Sequence, residues 1–116
     1  MPGRNRVSGD DASGTGRVLG LYRKLILQRF GQDVARVVLF GSRARLEDHR
    51  DSDWDVAVFL KRPITAAEQR SVSEVGHDVM CQTGAIVQSM ALPAGRWEAS
   101  DELIPNIRRD AVMIYE

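Results

Sequence analysis

Two aspartates, Asp53 and Asp55, stand two positions apart at the start of an apolar segment. Positions two apart on a β-strand project from the same face, so these carboxylates would be neighbours. Neighbouring carboxylates repel each other unless a cation lies between them. Oxygen ligands suit Mg²⁺, which is commonly bound by one or two carboxylates together with substrate phosphates. The pair therefore predicts a magnesium site at the entry to a strand, with ordinary turn acids as the alternative interpretation.

A glycine–serine pair and two arginines precede the acids. Gly41 allows close approach of the backbone to a ligand, and Ser42 offers a hydroxyl and a backbone N–H. If a short helix begins here, its free N–H groups form a phosphate site. Arg43 and Arg45 carry guanidinium groups suited to phosphate, although they could also be solvated loop charges. These four residues are candidate nucleotide-binding residues, and a magnesium-bound nucleoside triphosphate would satisfy both halves of the site.

The surrounding pattern predicts the elements that must position this site. Apolar residues at helical spacing alternate along the chain with short β-branched runs, and Gly or Pro marks most of the boundaries. The predicted elements are a helix over 15–30, strands over 34–40 and 54–60, a helix from Thr65 to Gly84, a strand over 85–92 and a final helix from about Pro105. This order predicts an α/β (α+β) domain with a small mixed sheet of about three to four strands flanked by helices.

Some local features make sharper predictions. Thr65 and Glu68 have the spacing of a capping box, and Val72, Val75 and Val79 form the apolar stripe of the helix that follows. Trp54, between the two acids, should pack on the opposite face of its strand. In the final helix, Ile107, Ala111 and Ile114 should face inward, and Cys81 should be a small buried hydrophobe.

Composition limits the remaining possibilities. The chain has 116 residues, of which 43% are hydrophobic, enough for one domain; we expect a flexible leader over 1–14 and a single domain over 15–116. Sixteen Lys and Arg balance sixteen Asp and Glu, which disfavours direct nucleic-acid binding but not a small phosphorylated ligand. No apolar run has the length of a membrane helix and no secretory signal is visible, so a cytoplasmic protein is expected. Cys81 is the only cysteine, which excludes an internal disulfide.

The spacing of the site residues resembles a known family. Ten residues separate Ser42 from the Asp53-x-Asp55 pair, as in the G-S-x10-D-x-D signature of minimal nucleotidyltransferases, small members of the DNA polymerase beta-like superfamily. The segments 39–45 and 51–58 match closely and 105–110 more loosely, so that the resemblance covers about residues 18–116. It implies the DNA polymerase beta-like nucleotidyltransferase fold.

The resemblance also implies an activity. Gly41 and Ser42 would bind the triphosphate, and Asp53 and Asp55 would be the catalytic, metal-binding residues of a Mg²⁺-dependent transfer of a nucleoside monophosphate to an acceptor hydroxyl. The substrate would be ATP, with transfer of AMP, or another nucleoside triphosphate. Minimal members are often antitoxins paired with a HEPN-domain toxin, so the resemblance implies a protein partner of that kind.

Two positions depart from the family pattern. The family often has Gly where Leu46 stands, so the loop after Arg45 is expected to follow a different path. Active members usually carry a third carboxylate on the strand after the middle helix, and Gln88 is the polar residue nearest that place here. An amide cannot act as a general base and is a weaker metal ligand. Three explanations stay open: slower or water-assisted catalysis by the two aspartates, a base supplied by a partner, or a nucleotide-binding interaction module without turnover.

Overall fold

The computed structural model describes residues 14–41 and 53–116 of the chain. Gly14 is the first residue of helix α1; the rest of the expected leader lies outside the described residues. The helices and strands are α1 (Gly14–Phe30), β1 (Val34–Phe40), β2 (Trp54–Leu60), α2 (Ala66–Thr83), β3 (Val87–Pro93), α3 (Leu103–Asp110) and β4 (Val112–Tyr115). Short 3-10 turns at Gly31–Asp33 and Ala94–Glu98 complete the order.

The four strands form one mixed sheet in the order β3-β2-β1-β4. Strand β1 is antiparallel to both of its neighbours, whereas β2 and β3 are parallel and are joined through α2. A parallel pair requires a crossover connection of this kind, and α2 supplies it. The mixed sheet of three to four strands with flanking helices is confirmed.

The last strand corrects the sequence-based prediction of a helix running to Ile114. Helix α3 begins at Leu103 and ends at Asp110, and Ile114 lies in β4. Met113 and Ile114 are both buried but belong to different cores, as alternation along a strand requires. The free edge of β1 provides backbone partners for this β-branched segment, and that pairing outweighs the helical spacing of its apolar residues.

The two faces of the sheet bury separate cores, and β2 contributes to both. Trp54, Val56, Val58 and Leu60 pack with α1 and α2, while the alternate residues of β2 pack with the Ala94–Glu98 turn and α3. Trp54 is buried, which confirms its predicted packing role. Because Asp53 and Asp55 alternate with Trp54, they belong to the α3 face of the sheet.

Helix α2 has the termini that the sequence predicts. Thr65 accepts a hydrogen bond from Ala67 N, and Glu68 Oε1 accepts one from Thr65 N at 2.8 Å, which completes the capping box. Gly84 ends the helix in the left-handed region, with φ of 80°. The predicted stripe of Val72, Val75 and Val79 is buried.

Side-chain hydrogen bonds tie β3 to the helices beside it. The Gln69 amide of α2 makes two bonds to the backbone of Ala91: Nε2 donates to the carbonyl at 2.8 Å, and Oε1 accepts from the N–H at 3.0 Å. From α1, the hydroxyl of Tyr22 donates to Ser89 Oγ at 2.8 Å. Burial of Tyr22 raises the pKa of its hydroxyl, so this group acts as a neutral hydrogen-bond donor in the core.

The environment of Cys81 corrects another prediction. The cysteine is exposed rather than buried, and its sulfur lies 3.5 Å from Nε2 of His77, one turn earlier on α2. Position 81 is not on the Val72–Val75–Val79 stripe, so it points away from the sheet. Among the described residues, no helix combines the length and apolarity that crossing a membrane would require.

Candidate functional site

The turn after β1 lies directly against one of the two acids. In the β1–β2 pairing, Phe40 is the partner of Asp55, and Gly41 follows with φ of 78°. A Cβ added to Gly41 would lie 2.5 Å from Asp55 Oδ2, much closer than such atoms can approach. The backbone conformation therefore favours glycine at this position, and any other residue would have to displace the Asp55 carboxylate. The antiparallel register thus brings the glycine turn and the acid pair to one end of the sheet.

The two acids interact electrostatically. Both are half-buried, with Asp53 immediately before β2 and Asp55 within it. Partial burial raises the pKa of the Asp55 carboxyl group, and the negative charge of Asp53 raises it further. A divalent cation between the carboxylates would remove this repulsion.

Gln88, on the neighbouring strand β3, lies beside the two aspartates. It is the register partner of Asp55 in the parallel β2–β3 pair, and its Nε2 donates a hydrogen bond to Asp53 Oδ2. An ionised carboxylate only accepts hydrogen bonds, so the amide nitrogen rather than the amide oxygen must face it. Gln88 is exposed, so this side of the acid pair is open to solvent.

The structure thus brings together Gly41, Asp53, Asp55 and Gln88. The other predicted nucleotide-binding residues, Ser42, Arg43 and Arg45, lie outside the described residues. Within residues 14–41 and 53–116, no group of three or more His, Cys, Asp or Glu side chains could hold a metal ion. Two hard oxygen donors on one face still fit Mg²⁺, which takes its remaining ligands from water and substrate phosphates.

Trp97, for which the sequence pattern makes no prediction, packs on the same face of the sheet. Its ring makes an edge-to-face contact with Phe59, with centroids 5.3 Å apart, and the Arg36 guanidinium lies 4.7 Å from its centroid. Trp97 is buried and belongs to the core under the α3 face. Its position depends on the tertiary packing that brings Phe59 and the Ala94–Glu98 turn to the same side of the sheet, which no local sequence pattern indicates.

The mixed four-stranded sheet, with a glycine turn and two carboxylates at one strand end, fits the nucleotidyltransferase class that the sequence predicts. The chain belongs to the polymerase beta nucleotidyltransferase family, whose model matches residues 24–116. The superfamily and fold predicted from the sequence are therefore confirmed. No curated protein matches the chain.

Three solved structures that share the fold are described as toxin–antitoxin proteins. A toxin–antitoxin crystallised with AMP-PNP matches with a TM-score of 0.62 and 20% identity, covering 82% of this chain and 70% of that one. A double Asp-to-Glu mutant of the MntA–HpeT toxin–antitoxin matches with a TM-score of 0.56 and 18% identity, covering 79% and 70%. A Tyr-to-Ala mutant of the same system matches with 0.56 and 20%, covering 79% and 67%. At these identities the likeness establishes the fold alone.

Proposed function

We propose that this chain is a magnesium-dependent nucleotidyltransferase that transfers a nucleoside monophosphate, AMP from ATP, to a macromolecular acceptor. The observation that carries the proposal is the contact between Gly41 and Asp55 Oδ2. This contact places a turn suited to phosphate beside two carboxylates suited to a divalent cation. A metal-bound triphosphate would use both the turn and the carboxylates.

Each residue of the site has a role in the proposed reaction. The backbone at Gly41 and Ser42 binds triphosphate oxygens, Arg43 and Arg45 balance their charge, and the two aspartates hold Mg²⁺. Bound Mg²⁺ would supply electrostatic stabilisation of the charge that develops on phosphate oxygens. The acceptor hydroxyl oxygen forms a bond to the α-phosphorus, the bond from that phosphorus to the bridging oxygen breaks, and pyrophosphate leaves. The hydroxyl proton passes to solvent or to a base on the acceptor, because an amide such as Gln88 is not a base.

A toxin partner is the acceptor that we propose. The neighbouring structures are described as toxin–antitoxin complexes, one of them with AMP-PNP, and their fold is shared by this chain. By resemblance to minimal nucleotidyltransferases, the partner is a HEPN-type RNase toxin, and nucleotide attachment silences it. The neutral charge balance of the chain favours such a protein acceptor over long nucleic acid.

The experiment is a label-transfer assay with the purified chain, Mg²⁺, ATP labelled at the α-phosphate and a HEPN-type partner. We expect label on the partner with the wild type and none above background with Asp53→Asn or Asp55→Asn. Asp78→Asn is the matched control, because Asp78 is an exposed acid on α2, which packs on the opposite face of the sheet. Full transfer by both site variants would contradict the proposal.

A second function is favoured by the amide at position 88. A module that binds Mg-ATP and its partner without transferring nucleotide would retain Gly41 and the acid pair while lacking a third carboxylate. In the same assay it would form a complex with the partner and be stabilised by Mg-ATP, yet no label would move. At 100 times Kd, ligand binding adds about 2.7 kcal/mol to the free energy of unfolding, so binding can be measured separately from transfer.

A further inference from the structure

We propose that Ile86 is a specificity-determining residue that contacts the acceptor, and that the acceptor is a protein segment that presents its hydroxyl group beside an apolar side chain. This inference rests on the proposed function, because it takes the acid pair as the place where the nucleotide reacts. It adds the side from which the acceptor approaches and a residue that selects it.

The order of the strands separates the two sides of the acid pair. Strand β2, which carries Asp55, lies between β1 and β3. The glycine turn follows β1, so Gly41 borders the pair on the β1 side, whereas Gln88 borders it on the β3 side. The turn suited to phosphate and strand β3 therefore lie on opposite sides of the two carboxylates.

In-line transfer assigns one reactant to each side. The attacking and leaving oxygens of a phosphoryl transfer lie roughly in line, on opposite sides of the phosphorus atom. Pyrophosphate, which leaves as the acceptor oxygen bonds to the α-phosphorus, is the part of the nucleotide that the turn at Gly41 is proposed to bind. The leaving group thus lies on the β1 side, and the acceptor hydroxyl reaches the α-phosphorus from the β3 side.

Ile86 is an exposed apolar side chain on the β3 side. It is 51% exposed, although isoleucine is among the residues most often buried. Trp54 N donates a hydrogen bond to the Ile86 carbonyl at 2.9 Å, which extends the β2–β3 ladder by one residue. Because Val87 packs in the core against α1 and α2, alternation places Ile86 on the opposite face, which is the face of the acid pair. Ile86 therefore lies beside Asp53, the residue before β2.

The chemistry of this side fits a protein acceptor rather than a nucleic acid. Residues 84–93, which include all of β3 and its approach, contain no charged side chain. A nucleic acid carries phosphates close to its hydroxyl groups and is bound mainly through Lys and Arg. A protein segment with an apolar residue beside its hydroxyl would instead bury the exposed surface of Ile86, which favours binding.

The test replaces Ile86 by serine, which removes the apolar surface and adds no charge beside the acid pair. Ile86→Leu keeps the apolar surface and should behave as the wild type does. Met80→Ser is the matched control, because Met80 is also exposed, at 37%, but lies on α2, which packs on the other face of the sheet.

Two measurements on the full chain report on the acceptor. The first is the Kd of a HEPN-type partner, from isothermal titration with Mg²⁺ and α,β-methylene-ATP, which cannot transfer its nucleotide. The second is the KM of each substrate in the label-transfer assay. We expect Ile86→Ser to raise the Kd and the KM of the partner about 3- to 10-fold, as the loss of about half of an isoleucine contact predicts. The KM for ATP, kcat and the stabilisation by Mg-ATP should not change, because the lost contact binds the acceptor alone and equally in the ground and transition states.

Each alternative gives a different result. An unchanged partner Kd in Ile86→Ser, or an equal rise in Met80→Ser, would overturn the inference and leave the proposed function standing. A higher KM for ATP with an unchanged partner Kd would place Ile86 beside the nucleotide and would also overturn it. Label transfer to an RNA oligonucleotide in place of the partner would overturn the assignment of a protein acceptor. A wild type that transfers no label would overturn the proposed function, and this inference with it.

Discussion

Replacing Gly41 with alanine places one methyl group against the acid pair. The backbone there has φ of 78°, and the new Cβ would lie 2.5 Å from Asp55 Oδ2. The variant therefore carries two separate penalties, the left-handed backbone conformation and the displacement of a carboxylate. Both penalties can be estimated, and the chain contains a control that isolates the first.

Gly84 is that control. Its φ is 80°, nearly the same as that of Gly41, but a Cβ there would have no other atom within 4 Å. Gly84→Ala should therefore show the backbone penalty alone, about 1–2 kcal/mol for a non-glycine residue in the left-handed region. Gly41→Ala adds the displacement of the Asp55 side chain, about 0.5–1.5 kcal/mol if the carboxylate leaves its preferred rotamer. For a chain of this size, each kcal/mol lowers Tm by roughly 3 to 6 °C.

The decisive measurement is the stabilisation of each variant by Mg-ATP in a thermal melt. The wild type and Gly84→Ala should both gain about 2.7 kcal/mol at 100 times Kd, whereas Gly41→Ala should gain much less. The reason is that its methyl group moves a proposed metal ligand and obstructs the backbone approach to phosphate. A free-nucleotide titration without Mg²⁺ would show how much of the loss involves the metal.

Two results would refute this reasoning. If Gly41→Ala and Gly84→Ala lowered the free energy of unfolding by the same amount, then displacing the Asp55 carboxylate would cost no measurable stability. If Gly41→Ala also kept the full response to Mg-ATP, then the glycine turn would not belong to the nucleotide site.

Three further predictions concern the scaffold. Hydrogen bonds from Thr65 lower the pKa of Glu68 to about 2 from its usual 4.5. The stability that ionised Glu68 contributes is therefore present above pH 4.5 and is lost as the pH falls towards 2. Glu68→Gln should flatten this part of a Tm-versus-pH profile, and an unchanged profile would contradict the capping-box assignment. Tyr22→Phe should lower the free energy of unfolding by about 1 kcal/mol, and Ser89→Ala should lower it by about 1–3 kcal/mol because it leaves the buried Tyr22 hydroxyl without this partner. In urea unfolding, the double variant should lose less stability than the sum of the two single variants. Strictly additive losses would argue against the hydrogen bond. Gln69→Ala should lower the free energy of unfolding by about 1–2 kcal/mol, because it removes both hydrogen bonds to Ala91. Gln82→Ala, at an exposed position of the same helix, is the control. Equal urea midpoints for the two variants would show that the bonds to Ala91 do not stabilise the fold.

Much of the fold follows from local pattern. The bounds of β1 and β2 were predicted residue for residue, because each is a β-branched run ended by Gly, Lys or polar residues. The Thr65–Glu68 capping box likewise depends only on neighbouring residues. The position of Cys81 could also have been predicted locally, since it does not continue the valine stripe of α2.

The last segment shows where local pattern fails. Ile107 and Ile114 fit helical spacing, but Ile114 pairs within a strand that borders β1, more than 70 residues earlier in the chain. Propensity and periodicity contain no information about which strand edge remains free, so β4 required the assembled sheet.

The candidate site was also predictable only in part: its residues follow from local spacing, but the contacts between them do not. The spacing of Asp53 and Asp55 alone places them on one face of a strand, and Gly41 was recognised from the residues around it. The closeness of Gly41 to Asp55 depends on the β1–β2 register, and the bond from Gln88 to Asp53 depends on the β2–β3 register. Registers are set by packing across the whole sheet, so the sequence could name these residues but not their contacts.

At the outer edge of β3, the Gln69 side chain makes the pair of backbone hydrogen bonds that a neighbouring strand would otherwise make. By offering a donor and an acceptor to the same residue, Ala91, it satisfies backbone groups that could otherwise recruit a strand from another molecule. A chain that tried to extend the sheet on that side would first have to displace this amide. Gln69 of α2 thus covers one residue of the free edge of β3, and its replacement would expose the N–H and carbonyl of Ala91.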